Sequence, residues 1–216
     1  MTKNEKNTEI RSFGELAAPR LVRSADGTET RTIEGYAVVF NVRSQLLPDY
    51  NVYRMVQEII DPAAIDDNLM RSCDIKALLE HDRSRMLARS YNGAGTLTLT
   101  KDERGIKYTF EAPDTADGNY ALEMVKRGDL FGSSFAYTTD EAVDGSVTYT
   151  KEGDNLIRTV HKIDKLYDVS IVSDPAYLDT SVTARSLDKA LNIPEPKQEN
   201  VEWKIDVEAL NRAMNE

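Results

Sequence analysis

The run TIEGYAVVFN at residues 32–41 constrains this chain most. Its β-branched and aromatic side chains suit a pleated sheet, so the segment predicts a core strand. Short runs of the same kind recur. Residues 20–31 (RLVRSADGTETR) set β-favouring residues on both sides of Asp26-Gly27, and residues 96–110 do so around KDERG. Both read as hairpins. Residues 55–60 are apolar and extended, and residues 75–79 form a short apolar strand that ends at Glu80-His81-Asp82. Residues 130–140, 146–150 and 156–172 are rich in β formers, with a turn at Asp144-Gly145 joining the first two. Residues 44–54, which carry Pro48, and the basic stretch 83–91 read as loops.

Two helices interrupt this pattern. Asp61 is a natural N-cap with Pro62 at the first helical position, and Ala64, Ile65, Leu69 and Met70 follow as a short apolar face. A second helix should begin near Asp114 or Thr115, run through Tyr120, Leu122, Val125 and Lys126, and stop at Gly128. The expected architecture is α+β and β-rich. It has a flexible N-terminus at 1–18, a folded domain at 19–185, and a linker and tail at 186–216. In that tail NIPEPKQEN is proline-rich, and residues 201–214 could form a short amphipathic helix.

Composition removes several functional classes. One cysteine, Cys73, leaves no internal disulfide framework and no multi-thiolate metal site, and His81 and His161 are the only histidines. The net charge of −10 argues against nucleic acid as the main partner, because a phosphate-binding surface is normally basic. No run approaches the ~20 apolar residues of a membrane span. The N-terminal segment has no apolar core, so no secretory signal is expected.

Three segments carry residues suited to chemistry. His81 follows an apolar run at the point where the chain turns polar, where an imidazole can face a cleft and act as a general base. The alternative is a solvated loop histidine between Glu80 and Asp82. Ser133 and Ser134 lie between aromatics in the stretch 131–137 (FGSSFAY), and Gly132 permits close backbone approach. An ordinary strand with backbone-bonded serines would look the same. Asp168 sits inside the apolar strand pattern YDVSIVSDP and shares a face with Ser170 and Val172. A carboxylate there is costly unless paired, and a buried acid can orient a histidine; a solvated strand edge is the alternative. His161 reads as a surface strand position, and Cys73 as a small buried residue near a helix end.

In order along the chain, IEGYAVVFN, EIIDPAAI, ALLEHDRSRMLARS, LEMVKRGDLFGSSFAY and LYDVSIVSDPAYLDTSV resemble the prohead (capsid maturation) serine proteases of HK97-like tailed bacteriophages. The likeness spans residues 30–185 and rests on the joint order of the segments. That family is related to the herpesvirus assemblins, so the resemblance implies a herpesvirus-protease-like β-barrel flanked by helices. It implies Ser134 as nucleophile, His81 (followed by Asp82) as base and Asp168 as orienting acid. Ala136 replaces the usual glycine, Tyr137 a common phenylalanine, and Asp168 the more usual and longer glutamate. The herpesvirus relatives use a second histidine as third member, which makes His161 the alternative to Asp168.

The implied function is a serine endopeptidase, without cofactor or metal, acting inside the procapsid in the host cytoplasm. Its substrates would be the major capsid protein and scaffolding segment, and itself, so that it is lost or self-digested by maturity. Portal and procapsid components are implied partners, together with self-association; nucleic acid and membrane are not. A catalytically silent assembly protein on the same fold, binding the capsid protein, is the second reading. A cysteine hydrolase using Cys73 and His81 is the third.

Overall fold

A computed structural model describes residues 8–44, 46–140 and 142–174. The linker and helix expected at 186–216 lie outside the described residues. The described residues form fourteen strands, numbered β1 to β14 in chain order, and two α-helices. Six strands lie side by side in one sheet: β1 (Glu9–Phe13), β11 (Gly132–Thr138), β14 (Lys165–Val172), β6 (Asp74–Leu79), β7 (Asp82–Tyr91) and β8 (Ala94–Gly95). The β14–β6 pair is parallel and the others are antiparallel. A second sheet runs β2 (Arg20–Arg23), β3 (Glu29–Val39), β10 (Gly105–Glu111), β9 (Leu97–Lys101). A third runs β12 (Val147–Glu152), β13 (Asn155–Val160), β5 (Arg54–Ile60), β4 (Leu47–Asp49).

Each sheet has two edge strands with a single ladder partner, and none closes on itself. The closed barrel implied by the resemblance is therefore not formed. Instead the inner faces of all three sheets meet in one core that includes Phe13, Ile33, Val38, Ile60, Phe135 and Ile171.

The hairpin at Asp26-Gly27 forms as the sequence predicts, with Gly27 at φ +85° joining β2 to β3. Helix α2 (Ala116–Arg127) starts where Thr115 accepts the amide of Gly118 and stops where Gly128 enters the left-handed region at φ +79°. The first helix begins later than expected. Asp61 caps only a 3₁₀ turn over Pro62–Ala64, and Ile65 is then extended and fully buried. A second cap, Asp66, accepts from the Leu69 amide at 2.7 Å and starts α1 (Asp67–Ser72).

Three segments read as irregular contain ordered elements; in 44–54, Leu47–Asp49 forms β4 by pairing with β5. Residues 83–91 lie in β7, whose arginines hid the pattern. Leu87, Ala88 and Ser90 point inward, while Arg85 and Arg89 reach outward to Asp117 and Asp74. Residues 9–17, expected to be flexible, form β1 and a 3₁₀ turn over Glu15–Ala17. What orders them is long-range. Phe13 and Ala17 are buried in the core, and Arg11 bonds the fully buried carboxylate of Glu58.

Candidate active site

The turn between β6 and β7 is as short as a hairpin allows. Leu79 pairs with Asp82, leaving Glu80 and His81 as its two central residues, at φ 51° and 58°. Positive φ at both positions is the demand of a type I′ hairpin turn, one that Asn and Gly meet cheaply. Glu and His there cost of order 1 kcal/mol each. The strain is held by β14 and the chain after it. The Glu80 amide donates to the Ile171 carbonyl at 3.1 Å, and the Ser173 amide donates to Glu80 Oε1 at 2.9 Å. Parallel pairing of β6 with β14, Asp168 opposite Lys76 and Ile171 opposite Leu79, brings the end of β6 level with the acid's strand.

His81 thereby reaches both neighbours. Its Nδ1 lies 2.7 Å from Asp168 Oδ1 and its Nε2 lies 2.6 Å from Ser134 Oγ. Asp168 is 6% exposed and also accepts from the Ser170 hydroxyl at 2.8 Å. An ionised carboxylate at that depth needs such donors, and two are in place. Ser170, which the strand period places on the same face as Asp168, is the acid's second donor and lies 3.2 Å from His81 Nδ1.

The alternation of β11 separates the paired serines. Ser133 points into the core, where its Oγ donates to the Ala17 carbonyl at 2.7 Å and lies 2.8 Å from the Tyr108 hydroxyl. Burial pushes that phenol well above its ordinary pKa, so it stays neutral. Ser134 points to the opposite face, toward His81.

The alternative residues lie elsewhere. His161 follows β13 in the third sheet, with Nδ1 3.2 Å from Asp61 and Nε2 2.9 Å from Thr148 Oγ1. Cys73 is buried at the opposite end of β6 from His81, where its sulfur accepts the Leu166 amide. Neither the Ser-His-His nor the cysteine arrangement is assembled.

On the other face of β11 lies a buried charge cluster that no sequence motif marks. Glu58 is fully buried and bonds Arg11, Arg158 and the Tyr137 hydroxyl. Burial alone would raise its pKa, but the Arg11 and Arg158 guanidiniums and the Tyr137 hydroxyl outweigh that and hold it below the usual carboxylate range. Arg158 also pairs with Glu9 at 3.0 Å and lies 3.4 Å from Asp49. These residues come from β1, β4, β5, β11 and β13, and no local spacing links them.

A carboxylate that fixes Nδ1–H leaves Nε2 free to take a proton from a hydroxyl. Many serine hydrolases use that arrangement, on unrelated folds. The family description of caudovirus prohead serine proteases matches residues 20–193, and the chain belongs to that family. That family is one of serine proteases of the phage prohead. Among solved structures, the bacteriophage T4 capsid assembly protease gp21 aligns with a TM-score of 0.48 and 12% identity, covering 80% of this chain and 100% of that one. No curated protein matches the chain in sequence.

Proposed function

We propose that Ser134, His81 and Asp168 are the nucleophile, general base and orienting acid with which this prohead protease cuts scaffolding and capsid precursor segments, and itself. The observation that carries the reading is the hydrogen-bonded line itself. Groups 53 and 87 residues apart in sequence meet at 2.6 and 2.7 Å. Asp168 holds the Nδ1–H tautomer. Ser134 Oγ attacks the scissile carbonyl carbon while its proton passes to His81 Nε2, and Asp168 stabilises the imidazolium. Collapse of the tetrahedral intermediate breaks the C–N bond, and the same proton leaves on the new amine. Water then enters, gives a proton to Nε2, and releases the acyl group as a carboxylic acid with Ser134 restored.

The procapsid interior is the proposed setting. Portal components and self-association remain part of the proposal, as does loss of residues 201–216 by self-cleavage within the segment 192–200. The test is co-expression with the partner capsid and scaffold proteins, followed by intact mass. Wild type should yield shortened precursor, and Ser134→Ala and His81→Ala should leave it full length while folding normally. Equal processing by Ser134→Ala would overturn the assignment. Unprocessed precursor with wild type as well would favour the silent assembly protein.

A further inference from the structure

Ser134 is completely inaccessible, at 0% exposure, although His81 beside it remains 18% exposed. What covers the serine is β1. It is the edge strand of the six-stranded sheet and pairs antiparallel with β11, Ser12 directly opposite Ser134. The Ser12 hydroxyl donates to Ser134 Oγ at 2.9 Å, and the Arg11 carbonyl oxygen lies 2.9 Å from the same Oγ. β1 is thus an extended segment added to the nucleophile's own strand, as substrates bind by strand addition, held with the Ser134 hydroxyl donating to the Arg11 carbonyl oxygen and not facing its carbon. β1 also precedes residue 20, where the family match begins.

The side chains carry the assignment further. Arg11 lies opposite Phe135 and so points to the face of β11 away from His81. There it forms a two-pronged pair with Glu58, Nε to Oε1 at 2.7 Å and Nη2 to Oε2 at 2.8 Å, with its guanidinium 5.8 Å from the Tyr137 ring centre. With β1 withdrawn, the described charged groups bonded or paired here would include the carboxylates of Glu58 and Asp49 and the guanidinium of Arg158. Those carboxylates suit a cation, and the fork geometry suits arginine above lysine.

We infer that β1 occupies the place of the substrate, with Arg11 standing where the residue on the acyl side of the cut bond belongs, and that Glu58 reads a basic side chain at that position. The inference rests on Ser134 as nucleophile for its cleavage arm alone. The resting enzyme is covered by its own strand, and an extended peptide with arginine at the cut displaces residues 9–12 to reach Ser134. Tethering gives β1 a high effective concentration, so an outside peptide competes poorly until that strand is weakened.

The test uses the full-length Ser134→Ala chain and a fluorescent peptide copying residues 8–16 (TEIRSFGEL), with binding followed by anisotropy. Adding Arg11→Ala to the chain removes the two-pronged bond of β1 and should tighten peptide binding at least about tenfold, the size of one charge-assisted hydrogen bond. Ile10→Ala, on the same strand but outside the charge cluster, should change nothing. A peptide with glutamate in place of arginine should bind the double variant at least about tenfold more weakly. Equal binding of the two peptides, or equal affinity with and without Arg11→Ala, overturns the inference. Should Arg11→Ala fail to fold, the peptide pair is compared on Ser134→Ala carrying Arg11→Lys, which keeps the charge and loses the fork, a difference supporting the inference and parity overturning it. In a chain with Ser134 intact, Arg11→Ala should cut the arginine peptide between its Arg and Ser. Selective binding without cutting would leave this inference standing and remove the proposed nucleophile. Cutting without selectivity would do the reverse.

Discussion

Replacing Asp168 by asparagine tests the proposed site most sharply, because the side chain keeps its volume and loses only its charge. As Ser134 attacks, the positive charge on His81 faces Asp168 Oδ1 across 2.7 Å. At an effective dielectric of 20 that separation corresponds to about 6 kcal/mol of attraction. This is an upper bound, since the asparagine oxygen still accepts from Ser170 and the amide dipole retains part of the interaction. An amide can also turn its NH₂ toward Nδ1, which selects the tautomer unable to accept the proton of Ser134. A loss of about 10³–10⁴-fold in cleavage rate, about 4–5.5 kcal/mol at 1.36 kcal/mol per decade, fits beneath that bound. The loss should be smaller than for Ser134→Ala, because the orienting acid is the least critical of such a trio. Folding stability should fall by only about 1–2 kcal/mol, as one charged acceptor becomes neutral. The assay is the initial rate of precursor shortening in purified procapsids, read by intact mass, beside a urea unfolding curve. An Asp168→Asn protein that is folded and cleaves within tenfold of wild type would refute the reasoning.

Ser133→Ala should cost about 1–3 kcal/mol in urea unfolding, because the Tyr108 hydroxyl loses a buried partner, yet leave cleavage close to wild type; a loss of cleavage as deep as that of Ser134→Ala would move the nucleophile by one residue. Arg158→Met should destabilise by about 3–5 kcal/mol, since Arg158 is 1% exposed and its removal strips a guanidinium from the fully buried Glu58; a shift below about 1 kcal/mol would show that the cluster rearranges freely. Glu58 is held below its ordinary pKa of 4.5, so its contribution is complete above that pH and is lost as pH falls through the folded value. Urea midpoints should therefore hold steady down to about pH 5 and then decline, less steeply in Glu58→Gln; parallel declines in the two proteins would exclude Glu58 as a source.

Local chemistry determined a large part of this protein. The turn at Asp26-Gly27 and the helix from Thr115 to Gly128 were legible because capping and positive-φ glycine act within a few residues. So was the strand at 32–41, because β-branched crowding is a local effect. Ser134, His81 and Asp168 stood out through residue type and the family likeness. The tertiary structure alone decided the rest. Glu80-His81 forms a two-residue turn against local preference, and the sequence gives no sign of it because β14 supplies the restraint. β7 was hidden by arginines whose partners, Asp74 and Asp117, are distant in sequence. β1 looked like a polar end because its order comes from Phe13 in the core and from Arg11 on Glu58, 47 residues away. That Asp168, and not His161, lies beside His81 depends on a parallel pairing of β6 with β14, and strand pairing is a long-range contact that local patterning leaves open.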